Sequence, residues 1–310
     1  MTRSKSSGVA ILAIFWALLM GAQNHGPLQP GAPGYSPSSW GAQAFEPESG
    51  AFEKDSYTNK YFDLSFPVLP DWREDYQGPP PSTSGYYVLE GLRPRGELNG
   101  TILIAAQDTF FLPVNNSLDL LKRRQEQAVV SLLKIEASPR KMKMGNQDFA
   151  RLDYSGAGLY HAIFAIDLRC HIVTFEITTR DQGVLQKLAT NVSNLSLHAG
   201  EGPLPRCVKD YATSANVLHR VDPAQTGPKF TQVPVRVIID KEGKVKHIHV
   251  INALPDQARS VESALAQWTF KPYIEDGHPV EIETGILFEF SSKKARPAAL
   301  KEASQKESAR

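Results

Sequence analysis

The sequence predicts an α+β chain of two folded units, an antiparallel α/β sandwich followed by a small β-β-α-β unit. Three observations carry that prediction. Runs of β-branched and aromatic residues alternate with polar ones at period two, the mark of strands with one buried face. Helical stretches with apolar residues three and four apart stand singly between those runs. Pro-rich stretches without hydrophobic period set the units apart. A chain of 310 residues suits two small domains plus a tail better than one core. Its 34 basic and 33 acidic residues leave a net charge of +1, so no electrostatic pull draws it to nucleic acid or anionic membrane. A hydrophobic content of 41% is ordinary for a folded soluble protein.

Residues 1–23 read as a signal peptide or a membrane anchor. Arg3 and Lys5 precede an apolar run from Gly8 to Ala22. That run is short of the roughly 20 residues that span a bilayer. Gly21 and Ala22 are small residues near a cleavage point, with Met20 departing from the A-x-A pattern. Cleaved or retained, the segment exports the rest of the chain. No Cys follows it, which argues against a lipoprotein. Residues 24–54 carry Pro27, Pro30, Pro33, Pro37 and Pro47 and read as a flexible or polyproline-like linker.

Residues 55–198 read as the first folded unit. Tyr61 to Phe66 is a strand, followed by the breaker Leu69-Pro70-Asp71-Trp72, in which Asp71 is turn chemistry and Trp72 core. Pro79 to Pro81 form a loop, and Tyr86 to Leu89 and Thr101 to Ala105 are strands. Ser117 is placed to cap a helix with Leu118, Leu121, Val129 and Leu132 on one face and Asp119 in its first turn. Phe149 to Tyr154, Ala162 to Leu168 and Ile172 to Thr178 are antiparallel strands, and a last helix runs from Gln182 to Asn194. His161 and His171 flank a hairpin and read as solvated. Residues 199–230 are a second linker, with Pro203, Pro205, Pro223 and Pro228.

Residues 231–290 form the second unit. Val233, Val235, Val237 and Ile239 alternate with Pro234, Arg236, Ile238 and Asp240, giving a strand with one buried face. Gly243 in Asp240-Lys241-Glu242-Gly243 supplies the positive φ of a tight hairpin, and Lys244 to Ile251 return. Pro255-Asp256 opens a helix with Asp256 as N-cap and Val261, Leu265 and Trp268 on one stripe. Val280, Ile282, Thr284, Ile286, Phe288 and Phe290 alternate once more, so the last strand buries one face under that helix. The prediction is a three-stranded antiparallel sheet with one helix. His247 and His249 share a strand face, flanked by Lys244 and Lys246. With no third ligand nearby, they read as solvated rather than as a metal pair. Residues 291–310 form a charged, disordered tail.

Cys170 and Cys207 are the only cysteines, and an exported chain with an even count permits one disulfide. A bridge would tie the second linker back onto the first unit; the alternative is two part-buried thiols. No nucleophile elbow, P-loop, H-E-x-x-H, zinc spacing or Gly-rich dinucleotide loop is present. The reading is therefore non-enzymatic, with no catalytic, cofactor-binding or metal residues, although an enzyme whose site is not visible in one sequence stays open.

Three features of the second unit occur together: Asp240, Gly243 and Val245 around the hairpin; Trp268-x-Phe270-x-Pro272; and Gly277-x-Pro279-Val280. In that order they resemble the C-terminal domain of the TonB family of energy transducers, over residues 217 to 290. Trp268 and Phe270 would plug the helix onto the sheet, Pro272 would end the helix, and Gly277 would turn into the last strand. The element order of the first unit, with Leu69-Pro70-Asp71-Trp72, resembles the Mog1/PsbP-like sandwich. The chain lacks the family's repetitive tether, its Pro-x-Tyr-Pro entry (only Pro223 is shared) and a His within residues 8–22. Together these imply a TonB-type domain outside the standard energy transducer.

The resemblance implies a binding protein of a bacterial cell envelope that grips a partner without bond-making chemistry. TonB domains add an extended peptide to a sheet edge, and the last strand, with Ile282, Thr284, Ile286, Phe288 and Phe290, is the candidate. The implied partner is an envelope protein or outer-membrane receptor peptide, joined by inner-membrane motor proteins if the N-terminus is retained. The alternative is a periplasmic scaffold or ligand-binding protein in which the TonB-type domain is only a docking module.

Overall fold

The structure, a computed structural model, describes residues 47, 50–53, 55–74, 82–96, 100–197, 204–224 and 230–290. The expected leader, most of the expected first linker, the Pro79–Pro81 loop and the expected charged tail lie outside these residues. Among the described residues no helix is long and apolar enough to cross a membrane. The fold is α+β.

The first unit holds strands β1 (Gly50–Glu53), β2 (Ser56–Asn59), β3 (Leu64–Pro67), β4 (Trp72–Glu74), β5 (Tyr86–Pro94) and β6 (Gly100–Asp108), then helix α1 (Ser117–Val130). Strands β7 (Lys134–Met144), β8 (Gln147–Gly156), β9 (Leu159–Leu168) and β10 (His171–Thr179), helix α2 (Gln182–Val192) and β11 (Ser196–Leu197) complete it. A seven-stranded antiparallel sheet runs β4-β5-β6-β10-β9-β8-β7, and a smaller one runs β1-β2-β3-β11. Period two sorts the side chains. Ile163 and Ala165 of β9 pack with Leu120, Leu121 and Ala128 of α1. Phe164 and Ile166 of the same strand meet Phe66 and Leu188 on the other face. The large sheet is thus sandwiched between α1 and a layer made by the small sheet and α2.

Several expectations shift locally. The strand expected over Tyr61 to Phe66 begins only at Leu64, as β3, and Tyr61 to Asp63 form the turn that joins it to β2. Asn59 Oδ1 accepts the Phe62 N–H there, and Asp63 takes φ +48. Asn116, not Ser117, caps α1 by accepting the Asp119 N–H. Ser117 is freed to donate from its N–H and hydroxyl to Asp167 at 2.8 Å. Val129 and Leu132 are 54% and 93% exposed rather than on the buried stripe: α1 buries the face of Leu120, Leu121 and Ala128, and Leu132 lies past its end at φ +59.

The second unit begins with β12 (Arg206–Cys207) and β13 (Val217–His219), then β14 (Gln232–Ile239), β15 (Val245–Val250) and helix α3 (Pro255–Leu265). Short strands β16 (Thr269–Phe270), β17 (Ile274–Glu275) and β18 (His278–Pro279) lead into β19 (Ile282–Glu289). The sheet order is β12-β19-β14-β15, four strands where three were expected. The extra strand is β12, from the second linker, and it pairs parallel to β19. Leu254 holds the N-cap position of α3 with Pro255 at N1, so Asp256 lies in the first turn and serves the helix dipole instead. The helix ends at Leu265, before Pro272, which therefore does not terminate it. Trp268 and Phe270 are buried against the sheet with Val261 and Leu265. Gly243 takes φ +81, and a Cβ there would strike the Phe270 carbonyl. Gly277, at φ +79, turns β17 into β18.

Candidate functional site

The outer edge of β19 can be followed group by group. The Phe290 N–H donates to Thr231 O, and the register runs on through Phe288↔Val233, Ile286↔Val235, Thr284↔Val237 and Ile282↔Ile239. An antiparallel ladder alternates, so these even-numbered residues direct their backbone groups to β14 and the odd ones direct theirs outward. The outward groups are occupied at the start of the strand. Arg206 N–H donates to Glu281 O and Val208 N–H to Glu283 O, both at 2.9 Å. Beyond Glu283, no described strand pairs with this edge, and Gly285, Leu287 and Glu289 continue the outward row. Leu287 is 43% exposed.

The side chains of the same odd residues lie on the sheet face turned away from α3, and that face is docked on the first unit. Arg236 is at its centre. Its Nε donates to Glu283 Oε1 at 2.7 Å, its Nη2 to Glu283 and to the Tyr61 hydroxyl, and its Nη1 to His171 Nε2 at 3.1 Å. Asp108 Oδ2 stands 3.5 Å from Arg236 Nε, and Oδ1 accepts the Phe110 N–H at 2.6 Å. Gly285 is opposite Arg236 in the ladder, and a Cβ there would meet Phe110 Cβ at 2.5 Å, so the absent side chain lets the first unit close against the sheet. Cys170, next to His171 at the β9–β10 hairpin, forms a disulfide with Cys207 of β12. Ile251, just past β15, packs into the first unit's core.

The electrostatics follow from one buried cation and two buried carboxyls. Burial works against the Arg236 charge, but Glu283, then Tyr61, Tyr87 and Asp108, hold its pKa well above the ordinary guanidinium value. Burial pushes Asp108 up to about 7 despite the nearby Arg236. Burial, reinforced by Arg236, holds His171 well below the ordinary imidazole value. Below about pH 7, a neutral His171 accepting at Nε2, an Arg236–Glu283 ion pair and a protonated Asp108 make a cluster of zero net charge. No bound group is needed to balance it, and among the described residues no group of three or more His, Cys, Asp or Glu is arranged to hold a metal ion.

Residues 229–291 match the family model described as Gram-negative bacterial TonB protein C-terminal. The TonB-type unit is also similar to the solution structure of the Pseudomonas aeruginosa TonB C-terminal domain, at 26% identity and TM-score 0.23, covering 27% of this chain and 94% of that one. The first unit is similar to cyanobacterial PsbP from Synechocystis, at 13% identity and TM-score 0.35, covering 46% and 91%. A Bacteroides thetaiotaomicron crystal structure is similar at 15% identity and TM-score 0.31, covering 46% and 48%. No curated protein matches the chain.

In the TonB-type unit, Ile282, Thr284, Ile286, Phe288 and Phe290 have buried side chains, and their strand groups face β14. The outward groups belong to the residues between them. Asp240, the first of the motif residues, accepts the Glu242 and Lys244 N–H groups and so shapes the hairpin, while Val245 and Phe270 join the core. Pro272 and Pro279 are exposed, the latter in the β17–β18 hairpin. His171 and His249 are buried at 1% and 8% exposure, which corrects the expectation of solvated histidines. The cause is the docking of the two units, which covers the sheet face. Sequence reasoning missed Tyr61, Asp108, Arg236 and Glu283. The available signal was a lone Arg in a run of Val and Ile; Glu283 gave none, since Glu281 and Glu289 stand in the same segment.

Proposed function

We propose that this chain is a non-enzymatic binding protein of a Gram-negative-type cell envelope that takes an extended partner segment on the outer edge of β19. The observation that supports this reading is β12. The edge already accepts one extended strand in parallel pairing at Ile282 and Glu283, and its outward row continues through Gly285, Leu287 and Glu289. Backbone pairing would supply affinity there, and the half-exposed Leu287 side chain some selectivity. The partner is an envelope protein or an outer-membrane receptor peptide. Inner-membrane motor proteins enter only through residues 8–22, which lie outside the described residues. The second reading, a periplasmic scaffold with the TonB-type unit as a docking module, is favoured by the buried Arg236 face, which uses that unit to hold the first one.

Photocrosslinking in intact cells separates the two. A photoreactive residue in place of Glu289 should capture a partner through one extended segment, identified by mass spectrometry, and Leu287→Pro should abolish the capture. Capture that survives Leu287→Pro, or no capture at all, refutes strand addition and leaves the scaffold.

A further inference from the structure

We infer that β12 is an intramolecular occupant of the partner edge, and that the Cys170–Cys207 disulfide holds it there. The inference rests on the strand-addition reading above. Four observations meet at one place. First, β12 offers only Arg206 and Cys207 to the sheet, a pairing too short to persist on its own hydrogen bonds. Second, the non-covalent supports of β12 itself are few: the two backbone bonds at 2.9 Å and an exposed Arg206–Glu275 ion pair, with Val208 against the second unit's core and Lys209 Nζ donating to Val114 O at 2.7 Å just beyond it. The firm anchor, buried Tyr211 with its hydroxyl donating to Lys271 O, lies four residues past Cys207. Third, the disulfide fixes the middle of the segment to the β9–β10 hairpin of the other unit, which converts a weak local pairing into a permanent one. Fourth, the groups that β12 covers, Glu281 O and Glu283 O, belong to the same outward row as Gly285, Leu287 and Glu289. The oxidised chain therefore offers a partner only the second half of the edge. Release of β12 extends the site back to Glu281.

The releasing reaction is thiol–disulfide exchange with a dithiol oxidoreductase. Cys170 is buried and Cys207 exposed, so Cys207 Sγ is the sulfur within reach. One reductant thiolate attacks Cys207 Sγ, the S–S bond breaks, and Cys170 leaves as a thiolate that takes a proton. The second reductant thiol then displaces Cys207 from the mixed disulfide. The chain gains two electrons and two protons and the reductant becomes a disulfide. The Cys170 thiol has an acceptor waiting, because Glu283 Oε2 lies 3.3 Å from its sulfur.

Hydrogen exchange on the full chain, oxidised and then reduced with a phosphine, reads the inference directly. The Arg206 and Val208 amides should be protected in the oxidised chain and lose protection at least tenfold on reduction, with β14 amides unchanged as the internal reference. Protection that survives reduction overturns it. Cys207→Ser should reproduce the reduced pattern, and a second variant, which keeps the disulfide, guards against a trivial loss of structure. Val208→Pro removes one of the two donors while leaving the disulfide intact, and should raise exchange at Arg206 alone. The crosslink from position 289 then separates the two proposals. If it depends on Leu287 but its yield is the same in oxidised and reduced cells, strand addition stands and the disulfide control falls. If it never depends on Leu287, strand addition falls, while the exchange data still decide whether the disulfide holds β12.

Discussion

Arg236 shows how one side chain can decide an interface. It is 3% exposed, its neighbours in sequence are valines, and it reaches Glu283, Tyr61 and His171 at once. Removing one member of such a buried pair leaves an uncompensated charge, whereas replacing both with apolar groups removes the problem. Arg236→Met should therefore cost about 3–5 kcal/mol in urea unfolding, and adding Glu283→Leu should restore part of that loss rather than double it. Asp108 supplies a prediction in pH. In the folded chain its carboxyl stays protonated up to about pH 7, while the unfolded chain releases the proton near pH 4. Folding takes up a proton in that window, so the stability this group contributes is lost as pH rises from about 4 to about 7. Asp108→Asn removes the dependence, and its stability relative to the parent should climb across the window by roughly 1.4 kcal/mol per pH unit. His171, with its pKa depressed, acts in the opposite sense: it contributes stability above about pH 6.5 that is lost as pH falls. The variant should therefore gain stability with rising pH where the parent is nearly flat. A variant curve parallel to the parent's would remove Asp108 from the account. Arg236, Glu283 and Asp108 were not legible as a site. A charged residue in a strand reads as solvent-facing, and only the partner surface reveals that it is paired.

Elements were more legible than their ends. Period two placed β9, β10, β14, β15 and β19, and the helical stripe placed α3, because each pattern records which face meets a core. It does not record what the opposite face meets. Val235 and Val237 face α3 and Arg236 faces the other unit, yet both sets are buried, and no single-strand pattern separates that case from a solvated face. The start of α1 moved by one residue because adjacent polar residues, Asn116 and Ser117, compete to cap it. The alternation of β19 carries a direct test at adjacent positions. Ile286 directs its N–H to Val235, so Ile286→Pro breaks the ladder and should cost about 3 kcal/mol or more. Leu287 directs its N–H outward, so Leu287→Pro should stay within about 1 kcal/mol of the parent in thermal unfolding. Equal penalties at the two positions would reverse the assignment of the partner edge.

At the scale of the molecule, the two units share a polar cluster, a covalent bond and part of a core. Closing a loop of 37 residues removes about 4 kcal/mol of unfolded-chain freedom on the chain-entropy model. Cys207→Ser should lower stability by roughly that amount, and calorimetry should show the parent's single transition giving way to two as the units lose their tie. One transition at an unchanged temperature would mean that the interface, and not the bond, joins them. The two-unit organisation was visible in the sequence as Pro-rich breaks between periodic segments. Their docking was not, because it depends on side chains far apart in the chain: 222 residues separate Tyr61 from Glu283.

The disulfide also redraws the route that mechanical tension would take. A pull on the edge of β19, resisted at the start of the first unit, would pass from β12 through the two sulfur atoms into the β9–β10 hairpin. The residues between the two cysteines, with β10 and α2, would lie off the loaded path, and the second linker could not be drawn out as slack. A pull along the common axis of β12 and β19 would load their hydrogen bonds together in shear and not one after another. In the oxidised chain, force would reach the first unit across a short covalent bridge; in the reduced chain, it would have to cross the non-covalent contacts around Arg236 and Ile251.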